Sequence, residues 1–422
     1  MSDCNVENRT IFCDDNLDVM RGINSACIDL IYLDPPFNKN KKFTAPTGTS
    51  AEGASFKDIF REDDLKDEWL LTIAEDEPDL FHYLNGIKGV GKPYNFAYLA
   101  YMAVRLIECR RVLKQSGSIY LHCDPTMSHY LKAIMDCIFT EEFFQNEFIW
   151  YYSGGGASKK RWARKHDCIL YFSKSDCWTF NADAVRVAYK WTDGQKRADG
   201  SARDYDKGKL PDDVWEHHAN MPWAKESTGY PTQKPLALME RIIQASSNEG
   251  DIVLDPFAGC ATTCVAAERL NRQWIGVDIS IKAYELVKER LTKEAADPED
   301  LLKYQNTIHL KTDPPKRTDQ DKDYREQKYV YVISHPNYPG EYKVGIAKNW
   351  KLRLNAYQTS DPGRQYKLEY KLETPWFRET EKHIHDIFPN KHEWVQGTLD
   401  EIIEAIRTHK PTHTEQGALN LA

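Results

Sequence analysis

No apolar run in the 422 residues approaches the length needed to cross a bilayer, and the opening Met1-Ser2-Asp3-Cys4 carries no secretory signal. A cytoplasmic protein without a membrane partner is expected. The ten cysteines include neither a CxxC pair nor a Cys/His zinc spacing. This argues against a disulfide or zinc scaffold and for free thiols in a reducing compartment. Cys260 and Cys264 stand at helix-neighbour spacing and read as packing residues. Positive charge is not in excess: the formal net charge is −8, which excludes bulk, non-specific attraction to nucleic acid. Any such contact must come from a local basic surface. A 41% hydrophobic, 28% charged composition is that of an ordinary globular chain with room for two or three domains.

What the chain does contain is Leu33-Asp34-Pro35-Pro36-Phe37-Asn38. The run Ile28–Leu33 before it, interrupted by Asp29, reads as a buried strand of a parallel sheet. Two prolines then forbid both helix and ladder pairing. A carboxylate, a rigid carbonyl and an aromatic face therefore stand at the carboxyl end of a strand, where open α/β sheets bind ligands. Side by side, the Asp34 carboxylate and the Pro35 carbonyl can accept both hydrogens of one NH2 group, with Phe37 stacked on the ring that bears it. An amine conjugated to a nucleobase is a poor nucleophile, and two fixed acceptors draw its lone pair out of the ring. Alone, the tripeptide fits an ordinary proline turn equally well. A second copy, Asp313-Pro314-Pro315, lies in a polar stretch with no strand evident before it and reads as linker.

A second anchor follows far downstream. Asp251-Ile252-Val253-Leu254 is a strand, Asp255-Pro256-Phe257-Ala258-Gly259-Cys260 a tight turn, and Ala261–Leu270 a helix. The strand Trp274–Val277 then ends on Asp278. Strand, glycine turn, helix, strand and acid is the layout of a nucleotide-type site, the acid accepting from ribose hydroxyls. One glycine at the turn, rather than three, favours an adenosyl cofactor without phosphates, S-adenosylmethionine.

Between the anchors, residues from Asn38 to about Lys92 show poor periodicity and read as a lid or substrate-contacting insertion. A helix from Tyr98, a strand Ser118–Cys123 and a helix Tyr130–Ile138 continue the alternation of a doubly wound sheet. Two further strands, Phe148–Tyr151 and Cys168–Phe172, bracket a basic segment after three glycines. Its Lys159, Lys160, Arg161, Arg164 and Lys165, interleaved with Trp162, suit phosphate contact and base stacking. Residues 178–222, polar and aromatic with Tyr189, Trp191, Arg197, Arg203, Tyr205 and Lys207, read as a target-recognition region. Tyr230-Pro231-Thr232-Gln233-Lys234-Pro235 is a rigid polar turn.

Together, LDPPF, DPFAG, the acid of GVD and YPTQKP, in that order, resemble the β-class DNA amino-methyltransferases over about residues 5 to 300. The middle segments RRVLKQSGSIYLHCD and KHDCILYFSKS resemble the family too. The resemblance implies a permuted class I methyltransferase fold, α/β with a mostly parallel Rossmann-like sheet, over residues 1–304. It implies a base flipped from duplex DNA, held by Asp34, Pro35, Pro36 and Phe37. S-adenosylmethionine would lie against Asp15, Asp255, Pro256, Phe257, Gly259, Asp278, Gln233, Lys234 and Pro235, with Asp15 in CDDNLDVM the adenine-contacting acid. Asp in the first place of the tetrapeptide resembles the adenine-N6 members, with cytosine-N4 the alternative. A restriction-modification or phage-type setting follows, with a cognate endonuclease and a homodimer as the partners to test. Cys260-Ala261 replaces the family's usual Ser-Gly, and Tyr230 stands where His is common. Both are expected to be tolerated because neither alters the carboxylates.

Residues 305–327 read as a linker and 411–422 as a tail. Between them, a hairpin of Tyr329–Ile333 and Tyr342–Ile346, then helices carrying Arg353 and Glu381, form a small α+β domain over 328–410. It resembles the GIY-YIG nucleases, with Tyr331 matching the first motif, Val344-Gly345 the second, Arg353 the helix-borne Arg and Glu381 the Mg2+-binding acid. Lys343 replaces the second motif's Tyr. An active nuclease, making the chain bifunctional, and a non-catalytic DNA-binding module both remain open.

Overall fold

A computed structural model describes residues 3–90, 93–152, 159–160, 162–189, 207–216, 226–295, 298–319, 328–347, 350–374, 376–391 and 394–409. The chain divides into two units, Met1–Asp319 and Gln320–Ala422. In the first, β1 (Thr10–Cys13), α1 (Asn16–Gly22) and β2 (Ile28–Leu33) come first. A hairpin, β3 (Lys41–Thr44) with β4 (Ser55–Asp58), and two helices, α2 (Asp67–Asp76) and α3 (Pro78–Val90), precede α4 (Pro93–Val112). Next are β5 (Leu113–Cys123), α5 (Ser128–Phe139), β6 (Phe144–Tyr151), β7 (His166–Ser173) and β8 (Val214–Glu216). The unit continues through α6 (Leu236–Ser246), β9 (Ile252–Asp255), α7 (Thr262–Arg269) and β10 (Gln273–Asp278). It ends with α8 (Lys282–Glu294), α9 (Pro298–Thr307) and β11 (His309–Lys311).

The strands form a nine-stranded sheet in the order β11-β1-β10-β9-β2-β5-β7-β6-β8. β7 pairs antiparallel with β5 and β6, and every other pairing is parallel. The doubly wound, mostly parallel sheet expected from the sequence is therefore present. β2 is apolar on both faces because both are covered. Ile31 and Leu33 join a core with α4 and α5, while Leu30 and Tyr32 join the opposite core with α6, α7 and α8. Each fully buried Ile or Leu contributes on the order of 1.5–3 kcal/mol through burial.

Two expectations are corrected. The insertion expected as a lid or substrate-contacting element after Asn38 is in part core: Trp69 and Ile73 of α2 and Leu80 and Leu84 of α3 are buried against α4, while Phe43 and Phe56 of the hairpin line a cavity. The few apolar positions of α2 and α3, diluted by Asp, Glu and Gly, hid the helical period. Residues 305–319 are not linker. They finish α9, add β11 beside β1, and dock on the segment before β1, where Asn5 Nδ2 donates to the Lys316 carbonyl (2.7 Å), and on the α1–β2 connection, where the Ser25 amide donates to Asp319 Oδ2 (2.7 Å). These bonds link backbone and short polar side chains, so no apolar pattern announces them.

The second unit has a five-stranded antiparallel sheet, β14-β12-β13-β16-β15. The strands are β12 (Lys328–Ser334), β13 (Glu341–Ala347), β14 (Lys367–Thr374), β15 (Asn390–Lys391) and β16 (Trp394–Gln396). Three helices accompany it: α10 (Trp350–Ser360), α11 (Phe377–Ile387) and α12 (Leu399–Thr408). The expected hairpin is β12–β13, with Tyr331 opposite Gly345. Phe377 and Ile384 of α11 and Ile402 and Ile406 of α12 cover one sheet face. A capping box between Thr398 and Glu401 starts α12. The tail 411–422 lies outside the described residues. Among the described residues, no helix is long and apolar enough to cross a membrane.

Candidate active site

Parallel strands that share a sheet end at one edge, so residues distant in sequence meet there. β9 separates β2 from β10. Asp34 follows β2, while Asp255 closes β9 and Asp278 closes β10. A cavity of about 330 Å3 joins them, lined by Asp34, Pro35, Pro36 and Phe37 on one side and Pro256, Phe257, Gly259 and Asp278 on the other. Its size falls in the range of small-molecule sites.

Asp34 is mostly buried, and its Oδ2 pairs with Lys234 Nζ. Its Oδ1 is buried with no hydrogen-bond partner. A buried carboxylate oxygen left unsatisfied is costly, and such exceptions concentrate where a ligand completes the bonding. Phe37 is held flat against His122, ring centroids 5.7 Å apart and planes inclined by 25°. His122, fully buried, takes the Tyr32 hydroxyl at Nδ1 (2.8 Å) and faces Asp167 Oδ2 at Nε2 (3.3 Å). Burial, then the Lys234 charge, lowers the pKa of the imidazole below its usual value. Burial raises that of the Asp167 carboxyl, but its bond to His122 together with the nearby charges of Lys234 and Lys39 outweighs this, and the net shift is downward.

On the far side, the Gly259 amide donates to Asp278 Oδ2 (2.9 Å) and the Ser280 amide to Oδ1 (2.8 Å). Gly259 adopts φ +55°, and a Cβ there would come within 3.1 Å of the Tyr230 ring. Ala261, where the family pattern has glycine, is also left-handed, at φ 55°, a conformation that costs an L-residue about 1–2 kcal/mol. Burial raises Asp278 to about 6 and Asp255 to about 7, against backbone donors that favour ionisation. Both carboxyls are thus poised to meet hydroxyl or cationic groups.

Other expected residues fall into two groups. Asp15 lines the cavity, but its oxygens already accept from the Leu17 amide (2.8 Å) and from Arg105 Nη2 (2.7 and 3.1 Å), so it also caps α1. Gln233 is engaged within its own turn: Oε1 accepts from Thr228 and Nε2 donates to the Glu226 carbonyl. Lys234 reaches Asp34 across 200 residues of sequence. Pro235 precedes α6 as its N-cap and is not among the lining residues. Tyr230 roofs the cavity in a stack with Phe56, which stacks on Phe43. In the basic segment, Lys159, Lys160 and Arg164 are exposed, Lys165 is half-buried, and Trp162 is 96% exposed; Arg161 lies outside the described residues. Because β6 runs parallel to β5, this β6–β7 connection leaves from the same sheet edge as Asp34. Of the expected target-recognition region, 190–206 and 217–222 lie outside the described residues, and β8 adds Val214–Glu216 to the sheet.

Sequence reasoning missed Asp58 at the end of β4. It is buried, its Oδ1 accepts from the Asn38 amide (2.6 Å), and it ties the insertion to the segment after Phe37. Burial raises its pKa. His122 was hidden in a strand whose neighbours are apolar. Asp58 carries no local motif, and His122, though inside the RRVLKQSGSIYLHCD segment, was not singled out there.

In the second unit, Tyr331 is buried, its hydroxyl 3.0 Å from that of Tyr357, and a Cβ on Gly345 would come within 2.6 Å of it. Lys343 Nζ stands 4.5 Å from the Tyr357 ring centroid. Arg353 lies one turn before Tyr357 on α10, and Glu381 is half-buried on α11. Among the described residues, no three His, Cys, Asp or Glu converge as a metal cage. A lone carboxylate with waters is nonetheless a usual way to hold Mg2+.

Residues 28–289 match the model of the N6/N4 DNA methylases. The chain belongs to that family. It is 32% identical to the type II methyltransferase M.HpaI of Haemophilus parainfluenzae over 68% of this chain and 75% of that protein. It is 30% identical to the DNA adenine methyltransferase YhdJ of Escherichia coli, over 68% of this chain and 83% of that one. A third relative, the type II methyltransferase M.BglII of Bacillus subtilis, is 31% identical over 53% and 66% respectively. Residues 328–410 match the T5orf172 domain.

Proposed function

We propose that this DNA methylase transfers a methyl group from S-adenosylmethionine to the exocyclic amine of an adenine flipped out of duplex DNA, as part of a restriction-modification or phage-type system. The observation that carries this reading is the unsatisfied Asp34 Oδ1, buried in the cavity shared with the Gly259 turn and Asp278. Bound there, the cofactor supplies an electrophilic methyl on a sulfonium. Asp34 Oδ1 and the Pro35 carbonyl hold the amine hydrogens, Lys234 fixes the other Asp34 oxygen, and Phe37, braced by His122, stacks on the base. Asp278 accepts from ribose hydroxyls, and the glycine turn lets the backbone approach the cofactor closely. Catalysis is positioning and electrostatics. The Asp of the tetrapeptide and the naming of a relative as an adenine methyltransferase support adenine. Methylated DNA digested to nucleosides tests this: N6-methyladenosine is expected, and a methyl found solely on cytosine overturns it.

The second unit is read as a DNA-binding module. Where an attacking Tyr would stand it places the Lys343 cation beside Tyr331 and Tyr357, which suits phosphate contact. Unmethylated plasmid incubated with the protein and Mg2+ should remain intact. Cleavage that disappears in Glu381→Ala makes the unit a nuclease instead, with Glu381 its metal ligand.

A further inference from the structure

The hairpin β3–β4 has two unlike faces. Phe43 and Phe56, opposite each other, turn towards the cavity and continue as a stack onto Tyr230. Neighbouring cross-strand pairs in an antiparallel ladder point to opposite faces. The other face therefore carries Lys42 directly opposite Lys57, and Thr44 opposite Ser55. Like charges directly opposite repel, and a hairpin does not gain stability from them. Lys57 has partial relief from Asp64 Oδ1 at 3.5 Å, whereas Lys42 is exposed and makes no ion pair among the described residues. Two cations and two hydroxyls thus share one face of the hairpin, in a protein whose net charge is −8.

Its position adds to the case. Asp58, at the end of β4, holds the Asn38 amide, so the hairpin is fastened to the chain just after Phe37. Asn38 and Asn40 take left-handed backbone angles, φ 59° and 55°, a strain that tends to gather at binding sites. Lys39 lies 4.6 Å from the Phe37 ring centroid. A groove of about 550 Å3 opens beside this segment, bounded by Lys39, Asn40, Arg61 and Tyr94, with one acid, Glu62.

We infer that the β3–β4 hairpin is a second DNA-contacting element, Lys42 and Lys57 gripping consecutive phosphates of the strand that carries the target base. The polymer is duplex DNA, because the cationic face adjoins the cavity of a DNA methylase and the charge is complementary to a phosphodiester backbone. The inference rests on the reading given under Proposed function. The aromatic face roofs the cofactor side of the cavity while the cationic face meets the backbone, so one hairpin serves both.

The experiment titrates the full-length protein into a fluorescent duplex over a series of salt concentrations. Each phosphate contact contributes a slope of about −0.9 in log affinity against log salt. Lys42→Gln/Lys57→Gln should make the slope shallower by about 2. Lys57 also borders the cavity, so the activity control is Lys42→Gln alone: its cofactor affinity, and its methylation at saturating duplex, should stay within about twofold. Lys42→Gln alone removes no ion pair within the described residues and should shift the slope by about 1. Lys159→Gln/Lys160→Gln serves as the comparator on the basic segment. A double variant with the native melting profile and an unchanged slope overturns the assignment. If the unaltered protein methylates DNA but the slope does not move, the hairpin inference alone fails. If it neither binds duplex nor transfers methyl, the methyl-transfer reading fails with it.

Discussion

The tripeptide Asp-Pro-Pro occurs twice after a strand of one sheet, with different outcomes. Asp34 follows β2, six residues long and hydrogen-bonded on both sides by β9 and β5. Asp313 comes two residues after β11, three residues long, which forms the sheet edge against β1. In the centre, the turn before α6 delivers Lys234 and Tyr230, and the turn after β9 delivers Gly259, around the carboxylate. At the edge, Asp313 is exposed, and the chain proceeds to pack the Pro315 carbonyl against Gly22 and to bond Asn24 through Thr318. The local sequence sets a rigid bend in both places. The sheet position decides whether that bend becomes a site or a strap.

The comparison is broken most severely by exchanging the two acids. Asp34→Ala should lower single-turnover methyl transfer by about 10²–10³-fold, the worth of one preorganised polar contact at a reacting centre. Cofactor affinity by calorimetry should stay within a few-fold, and Asp313→Ala should leave transfer near its starting value. Next in size is Lys234→Met. Removing the cation leaves Asp34 Oδ2 without its partner in a mostly buried site and frees the carboxylate to turn. Transfer should fall by about ten- to a hundredfold in single-turnover kinetics, with cofactor affinity within a few-fold.

A third test concerns the cofactor side. Asp278 has its folded pKa raised to about 6 by burial. Protonation removes an acceptor, so cofactor affinity should weaken as pH falls through about 6, by up to tenfold per unit. Fold stability should move the opposite way. A carboxyl whose folded pKa exceeds its unfolded value stabilises the fold fully below the unfolded value, and that contribution is lost as pH rises through about 6. Melting of the cofactor-free protein at several pH values, beside binding at the same values, checks both signs. The smallest effect concerns the strap. A Cβ on Gly22 would come within 1.8 Å of the Pro315 carbonyl oxygen. Gly22→Ala should therefore cost about 1–3 kcal/mol in denaturant unfolding, with methyl transfer per folded molecule unchanged.

The central half of this comparison was legible in the sequence and the edge half was not. β2 announces itself because a strand covered on both faces must be continuously apolar, and the Gly259 turn because a left-handed backbone there favours glycine. β11 offers three residues, half-buried or exposed, and no such run. The hairpin β3–β4 escaped notice because Phe43 and Phe56 find each other only after the chain reverses. Lys234 was visible within its turn, yet its partnership with Asp34 depends on β2 and β9 being neighbours, which no spacing reveals. His122 was invisible for the opposite reason. It occupies a buried strand where its ring passes for packing until Tyr32, Asp167 and Phe37 are placed around it.

The reversed strand β7 has a consequence for how such a molecule changes over time. By running against β5 and β6 it returns the chain so that the stretch before it, like the stretch after Phe37, springs from the rim that carries Asp34 and its cavity. Segments hung on that rim can lengthen, shorten or be exchanged between lineages while the strands beneath keep their register. New target preferences can thus arise by trading loops, with the machinery for moving the methyl group left untouched.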